Sequence, residues 1–187
     1  MKILGGKFKG RNIVASSGIR PVALRVKKSC FDILRGEIQG KRVLDLFGGS
    51  GSLGIETLSQ GAKEAIFLDS NRRCVAAIRS NLTSLGLDPR EKVILKDSAS
   101  GIKDFHTYKE KFDIIFLDPP YYSGLLTKTL QLLEEYDIVA PSGYIVTFCY
   151  TKDDFVQARR GFSLIVEKKY GQTLFLIYRK DVSNLTK

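Results

Sequence analysis

The sequence predicts an α/β fold built on a mostly parallel seven-stranded sheet with helices on both faces. Three observations lead there. From Arg42 onward, short apolar runs of strand length alternate with amphipathic stretches of helix length. Four successive apolar runs each end in an aspartate, at 45, 69, 97 and 118. The first of them leads into Gly48-Gly49-Ser50-Gly51, a turn that carries a strand into a helix. At 187 residues the chain is long enough for one domain with its own core.

Taken in order, Lys2 to Val14 reads as two short strands around Gly5, Gly6 and Gly10, a hairpin, with a loop through Ser16 to Pro21 after it. Val26, Cys30, Phe31, Leu34 and Ile38 recur at three- and four-residue spacing. An amphipathic helix is therefore expected over Val22 to Ile38, closed near Gly40, with Arg25, Lys28 and Arg35 off the apolar stripe. Val43 to Phe47 is a strand, and a helix through Ile55 and Leu58 follows the glycine turn. Ala65 to Asp69 precedes a helix from about Asn71 to Leu85. Val93 to Lys96 and Asp113 to Leu117 are the next strands, the second short, apolar and rich in β-branched and aromatic residues. A helix over Leu125 to Glu135 leads to a strand over Tyr144 to Cys149, and a helical stretch begins near Asp153. Ser163 to Lys169 and Thr173 to Tyr178 flank Tyr170-Gly171-Gln172 as a closing antiparallel hairpin. The tail from Ser183 to Lys187 is expected to fray.

The net charge of +10 is concentrated at one end. Residues 1–42 hold 11 Lys or Arg against Asp32 and Glu37, a balance of +9, and the remainder carries +1. Such one-sided placement favours a polyanion-binding arm over a generally solvated basic surface. In that arm Phe8 stands between Lys7 and Lys9: cations for phosphate and a ring for stacking, unless the ring covers its own hairpin. No apolar run approaches the roughly 18 residues of a membrane helix, and the first residues lack the apolar core of a signal peptide, so a cytoplasmic protein is expected. Cys30, Cys74 and Cys149 fit no metal-ligand spacing, and His106, the only histidine, lies in a polar, loop-like stretch. A zinc site or Ser-His-Asp triad is poorly supplied, and no metal is expected.

The strand ends carry the chemistry. Asp45 before the glycine turn suits a ligand bearing a cation, such as the amino-acid end of S-adenosylmethionine, and glycines at 48, 49 and 51 let the backbone come close. Asp69 can accept both hydroxyls of a ribose. Asp97, with Ser98, can accept from an adenine amino group. Each acid alone could be a turn residue; four in succession point to a ligand. Asp118-Pro119-Pro120-Tyr121 sets a carboxylate and carbonyls beside a flat ring, with the prolines fixing the backbone. That combination suits a planar, amine-bearing group such as a nucleobase. Gly49, Gly51 and Gly54 also satisfy G-x-G-x-x-G, but a carboxylate at Asp45 would be unwelcome to a pyrophosphate, which argues against a dinucleotide dehydrogenase.

Asp45 to Gly54 (DLFGGSGSLG), Asp118 to Tyr121 (DPPY) and their order resemble class I S-adenosylmethionine-dependent amino-methyltransferases. More closely, the chain resembles the RsmD family of bacterial 16S ribosomal RNA guanine-N2 methyltransferases. The specific pieces are Gly5 to Arg11, Ile19-Arg20-Pro21 before Arg25-Val26-Lys27, Glu56 to Ala62, and Tyr170 to Thr173. The resemblance implies a Rossmann-like class I methyltransferase fold with an N-terminal β-hairpin and helix. It would divide into an RNA-binding extension (1–40) and a methyltransferase domain (41–187) within one compact unit. It implies S-adenosylmethionine held by Asp45, Phe47, Gly48, Gly49, Ser50, Gly51, Asp69, Ser70, Asp97 and Ser98. Arg25 would face the methionine carboxylate or an RNA phosphate. Catalysis would fall to Asp118, Pro119, Pro120 and Tyr121. Lys7, Phe8, Lys9, Arg11 and Arg20 would grip 16S ribosomal RNA or a small-subunit assembly particle, with a monomer as the default state.

The chain departs from that pattern in places. Val22-Ala23-Leu24 stands where the family usually has Thr-Thr/Ser-Asp, which weakens the helix start by roughly 1 kcal/mol. Gly48 replaces the usual Ala and Gln60 the usual Arg. Two rival readings share the motif. A DNA adenine-N6 methyltransferase also uses Asp-Pro-Pro-Tyr, though the chain leaves no room for a separate DNA-recognition domain. The other is a non-catalytic RNA-binding assembly factor on the same fold.

Overall fold

A computed structural model describes residues 1–15, 22–88, 92–153 and 159–182. Its elements are α1 (Leu24–Ile33), β1 (Arg42–Asp45), α2 (Ser52–Ser59), β2 (Glu64–Asp69), α3 (Arg72–Ser84), β3 (Val93–Leu95), α4 (Ser98–Thr107), β4 (Phe112–Leu117), α5 (Leu125–Glu135), β5 (Val139–Tyr150), β6 (Phe162–Tyr170) and β7 (Thr173–Lys180). The seven strands form a sheet in the order β3-β2-β1-β4-β5-β7-β6. Compactness divides the chain into Met1–Ser98 and Ala99–Lys187.

In the first unit β1 pairs parallel with β2, and β2 with β3. Val43 and Leu44 of β1 and Ala65, Phe67 and Leu68 of β2 are essentially inaccessible, as continuous apolar runs covered on two faces should be. The Asn71 side chain caps α3 by accepting from Arg73 N–H at 2.9 Å. Helix α1 is shorter than its apolar stripe: it starts at Leu24 without a side-chain cap and gives way at Leu34. Leu34 and Ile38 stay buried from the turns beyond it, so the stripe is used without the helix.

The N-terminal hairpin is reduced to one antiparallel bridge, Lys2 to Asn12. Its backbone groups pair within the segment, Ile3 N–H with Arg11 O, Gly10 N–H with Ile3 O and Ile13 N–H with Met1 O, and others reach α2 and α3. Leu4 and Gly5 N–H donate to Glu56, Phe8 N–H to Ser59 Oγ, and Val14 N–H to Asn81 Oδ1. Residues 1–40 are thereby tied to α2 and α3, and compactness places them in the unit that ends at Ser98.

In the second unit β4 and β5 are parallel, and β7 pairs antiparallel with both β5 and β6. Strand β5 is longer than expected, beginning at Val139, with a register irregularity between Phe112 and Ile114 of its partner. Helix α4 occupies the stretch read as a loop. Its apolar signal is thin: Ile102 and Phe105 are its buried hydrophobic side chains, while His106 in the last turn is exposed beside Tyr136. The loop Ser16 to Pro21, the helical stretch after Asp153 and the tail from Ser183 lie outside the described residues.

Candidate active site

Asp45 ends β1 with 1 % of its surface exposed. Its Oδ2 accepts from Gly54 N–H at 3.1 Å, while its buried Oδ1 has no hydrogen-bond partner. Burial raises this carboxyl to about 7; Asp69 adds to the rise, while N–H donors at Gly54 and Phe47 and the Lys27 ammonium oppose it. An unpaired buried acceptor is costly. A cationic ligand would both pair Oδ1 and restore the charged form. The orphaned oxygen therefore fits the amino-acid end of S-adenosylmethionine.

The turn beyond Asp45 is drawn tight. Gly48 N–H donates to Leu68 O at 2.9 Å, and Gly51 N–H to Gly48 O at 2.6 Å. Gly51 opens α2 at φ +79°, a left-handed conformation that a side chain resists. At Gly54 the reason for glycine is space: a Cβ there would lie 2.3 Å from Cε1 of the buried Phe67 ring. Asp69 braces the turn, accepting Gly49 N–H at 2.9 Å and Asn71 N–H at 2.8 Å. Each of its oxygens keeps a second lone pair for a ligand hydroxyl. Phe47 is half-buried, Ser50 buried and Ser70 exposed. Asp97 is exposed, and buried Ser98 opens α4.

Sequence reasoning missed two supporting residues. Lys27, 3 % exposed, pairs with the fully buried Glu56 at 2.8 Å and donates to Ser52 Oγ at 2.9 Å. Desolvation lowers the Lys27 pKa, and Glu56 opposes that shift. This cation influences Asp45, whereas Arg25 is exposed. The signal was available: Lys27 falls three and four residues before Cys30 and Phe31, on the apolar stripe. Asn81, 2 % exposed, donates to both Val14 O and Ser50 O, tying the N-terminal segment to the glycine turn. An asparagine within α3 gave no such warning.

In the second unit the Asp-Pro-Pro-Tyr run follows directly from β4. Asp118 is half-buried, Pro119 buried and Pro120 exposed. The Pro120 carbonyl accepts a 2.6 Å hydrogen bond from Ser123 Oγ, so one of its lone pairs is already used. Tyr121 is half-buried, its ring 5.7 Å from that of Tyr150 and its hydroxyl 3.4 Å from Thr173 Oγ1. Burial, with Asp153 and Asp118 adding, pushes the Cys149 thiol up to about 12, so it stays neutral and unreactive.

The basic arm needs a correction. Phe8 is 7 % exposed, so its ring packs against the protein rather than stacking on a ligand. The reason lies on α2: its N–H and that of Lys7 are bonded to Ser59, which draws the segment onto that helix. Lys7 and Lys9 are exposed, and Arg11 is also exposed but donates to Ser84 O at 2.5 Å. Arg20 lies outside the described residues. Among the described residues no His, Cys, Asp or Glu cluster could hold a metal, and no helix is long and apolar enough to cross a membrane.

A mixed seven-stranded sheet with a strand-end acid over a glycine turn defines a Rossmann-like methyltransferase fold. The chain belongs to the family described as Conserved hypothetical protein 95, matched over residues 1–179, which is the RsmD family. It is 34% identical over 182 residues to YlbH of Bacillus subtilis, provisionally named an rRNA methyltransferase, covering 96% of this chain and 99% of that one. It is 30% identical over 181 residues to ribosomal RNA small subunit methyltransferase D of Haemophilus influenzae, covering 96% and 93%. The solved structure of yhhF from Escherichia coli, provisionally titled a methyltransferase, superposes with a TM-score of 0.84 at 28% identity, covering 98% and 99%.

Proposed function

We propose that the protein methylates the exocyclic N2 amine of a guanine in 16S ribosomal RNA, using S-adenosylmethionine. The observation that carries this reading is the intact Asp118-Pro119-Pro120-Tyr121 run at the carboxyl end of β4, in a chain of this family. When bound, S-adenosylmethionine supplies an electrophilic methyl group on a sulfonium. Asp45 would pair its ammonium group, the glycine turn at Gly49 and Gly51 would admit it, Asp69 would accept its ribose hydroxyls, and Asp97 with Ser98 would meet its adenine.

The guanine amine is a poor nucleophile because its lone pair is conjugated into the ring. Asp118 and the Pro119 carbonyl accept its two hydrogens, which lets the nitrogen pyramidalise and direct the lone pair at the methyl. Rate acceleration then comes mainly from positioning. Tyr121, steadied by Tyr150 and Thr173, stacks on the base, which must leave its helix to reach the pocket. The amine becomes acidic once methylated, so Asp118 need not be a strong base. Lys7, Lys9 and Arg11 hold phosphates, giving a salt-dependent affinity.

The test pairs chemistry with binding. Labelled S-adenosylmethionine and under-modified 16S ribosomal RNA should yield labelled N2-methylguanosine on digestion. Asp118→Ala should lower turnover by on the order of 10²–10³ while leaving the cofactor dissociation constant unchanged. Label in N6-methyladenosine, or unchanged turnover in the variant, would sink the reading.

A further inference from the structure

Beside the Asp-Pro-Pro-Tyr run lies a cavity of about 290 Å³, lined by Pro120, Tyr122, Ser123, Gly124, Leu126, Thr127, Lys152 and Asp153. The roles proposed above leave it unassigned. We propose that it seats the nucleotide adjoining the target guanine on the same single strand, with Tyr122 stacking on the base and Lys152 meeting a phosphate. This rests on the RNA-methylation reading and adds a second subsite to it.

The chemistry of the lining points to that occupant. Tyr122 is 69 % exposed, yet its backbone and ring are held in place. Its N–H donates to Asp153 Oδ1 at 3.0 Å, and its ring lies 4.9 Å from that of Tyr150. Asp153 Oδ2 takes the Tyr150 N–H at 2.9 Å, so this acid is committed to two backbone donors. Ser123 closes the loop by donating to Pro120 O and accepting the Leu125 N–H at 3.3 Å. Lys152 is exposed and makes no ion pair or hydrogen bond among the described residues, leaving its ammonium to complement a phosphodiester. An exposed ring and a cation are what a single-stranded nucleic acid requires, since every base has a face to stack and every linkage a charge to neutralise.

Size and position agree with that assignment. The volume lies near the lower limit for ligand pockets, enough for one nucleoside and too little for a protein element. Pro120 belongs to both the run and the groove, and Asp118 is two residues away, at most about 7 Å of extended chain. That is a step of one nucleotide. Leu126 supplies an apolar surface in the groove.

A five-nucleotide RNA with a central guanine, labelled for fluorescence anisotropy, tests the subsite apart from turnover. Tyr122→Ala should weaken its binding about tenfold, and Tyr122→Phe, which keeps the ring, should restore wild-type affinity. Lys152→Ala, an exposed change that leaves folding intact, should weaken binding and reduce the salt slope by about 1. Cofactor affinity should stay constant in all three. Wild-type RNA affinity in both alanine variants would overturn the assignment. So would losses seen only with an assembled small-subunit particle, which would put a ribosomal protein in the groove. If the losses appear but no N2-methylguanosine forms on any RNA, the groove stands and the methylation reading falls. If methylation proceeds and the losses are absent, the reverse holds.

Discussion

Helices α2 and α5 both begin at a glycine in the left-handed conformation, Gly51 at φ +79° and Gly124 at φ +68°, and neither has a side-chain cap. Their surroundings differ. A Cβ at Gly51 would lie 3.1 Å from Ile55 and 3.4 Å from Phe67, whereas one at Gly124 would meet nothing within 4 Å. The first turn is embedded: Asp45 and Glu56 are buried beneath it, and Asp69 and Asn81 brace it. The second is open, with Pro120 and Tyr122 exposed and aromatic rings for neighbours. The contrast teaches that the two sites spend their order differently. A small charged ligand calls for fixed, desolvated charges, and a polymer that must arrive and leave calls for accessible faces.

The sharpest way to break this contrast is to disturb the buried charges. Glu56 accepts from Leu4 N–H, Gly5 N–H and Gln60 Nε2 as well as pairing with Lys27. Glu56→Ala strands a buried ammonium and two backbone donors together, a loss of about 3–5 kcal/mol. For a chain of this size the unfolding midpoint should fall by on the order of 10 °C. The double change Lys27→Met with Glu56→Gln keeps an acceptor for the backbone and removes the charge pair, so it should be far milder. Thermal denaturation followed by circular dichroism checks both. If Glu56→Ala unfolds like the parent protein, the first site is not organised by buried charge.

How legible each region was in the sequence follows from the same physics. The strand-end aspartates and the glycine turn could be read because strand order and φ constraints act locally. Helix α5 was found at its observed ends, since Leu126, Leu130 and Leu133 repeat at helical spacing and Gly124 precedes them. Helix α4 was not, because two buried hydrophobic side chains in ten residues leave almost no period. The fate of Phe8 was also out of reach. A ring between two lysines looks the same whether it faces solvent or packs, and what decides it is Ser59, 51 residues away. Lys27 was the readable miss, a cation on an apolar stripe whose partner lies 29 positions on in sequence. The exposure of Tyr122 was equally out of reach, because it depends on Asp153 holding the loop from 31 residues away.

Proton linkage offers a milder test of the embedded site. The Asp45 carboxyl titrates at about 7 in the folded protein, above the roughly 3.9 of an unfolded aspartate. Between those values the native state holds the proton more tightly, so the contribution of Asp45 to stability falls as pH rises from about 4 to 7 and is flat above. Asp45→Asn should remove that slope. If Asp45 holds the cofactor's ammonium group as proposed, binding needs the ionised form and runs the other way: the dissociation constant should drop about tenfold per pH unit up to pH 7 and then level. Equilibrium dialysis from pH 5.5 to 8.5 reads it, and a flat profile would mean that the ammonium is held elsewhere.

The smallest effects come from adding one methyl group to each region. Gly54→Ala places a Cβ 2.3 Å from Cε1 and 2.7 Å from Cζ of Phe67, a ring with no exposed surface and nowhere to move. Such overpacking costs about 1–3 kcal/mol. Gly124→Ala meets no atom within 4 Å, so its cost is only that of a side chain in a left-handed conformation, about 1 kcal/mol. Urea unfolding should separate the two, with Gly54→Ala showing the lower midpoint and an unchanged slope. Methyl transfer should survive Gly124→Ala, because the loop is pinned by Asp153 and Ser123 rather than by packing at that glycine. Equal losses would mean that the proline loop is held by packing after all, and the open face would need another explanation.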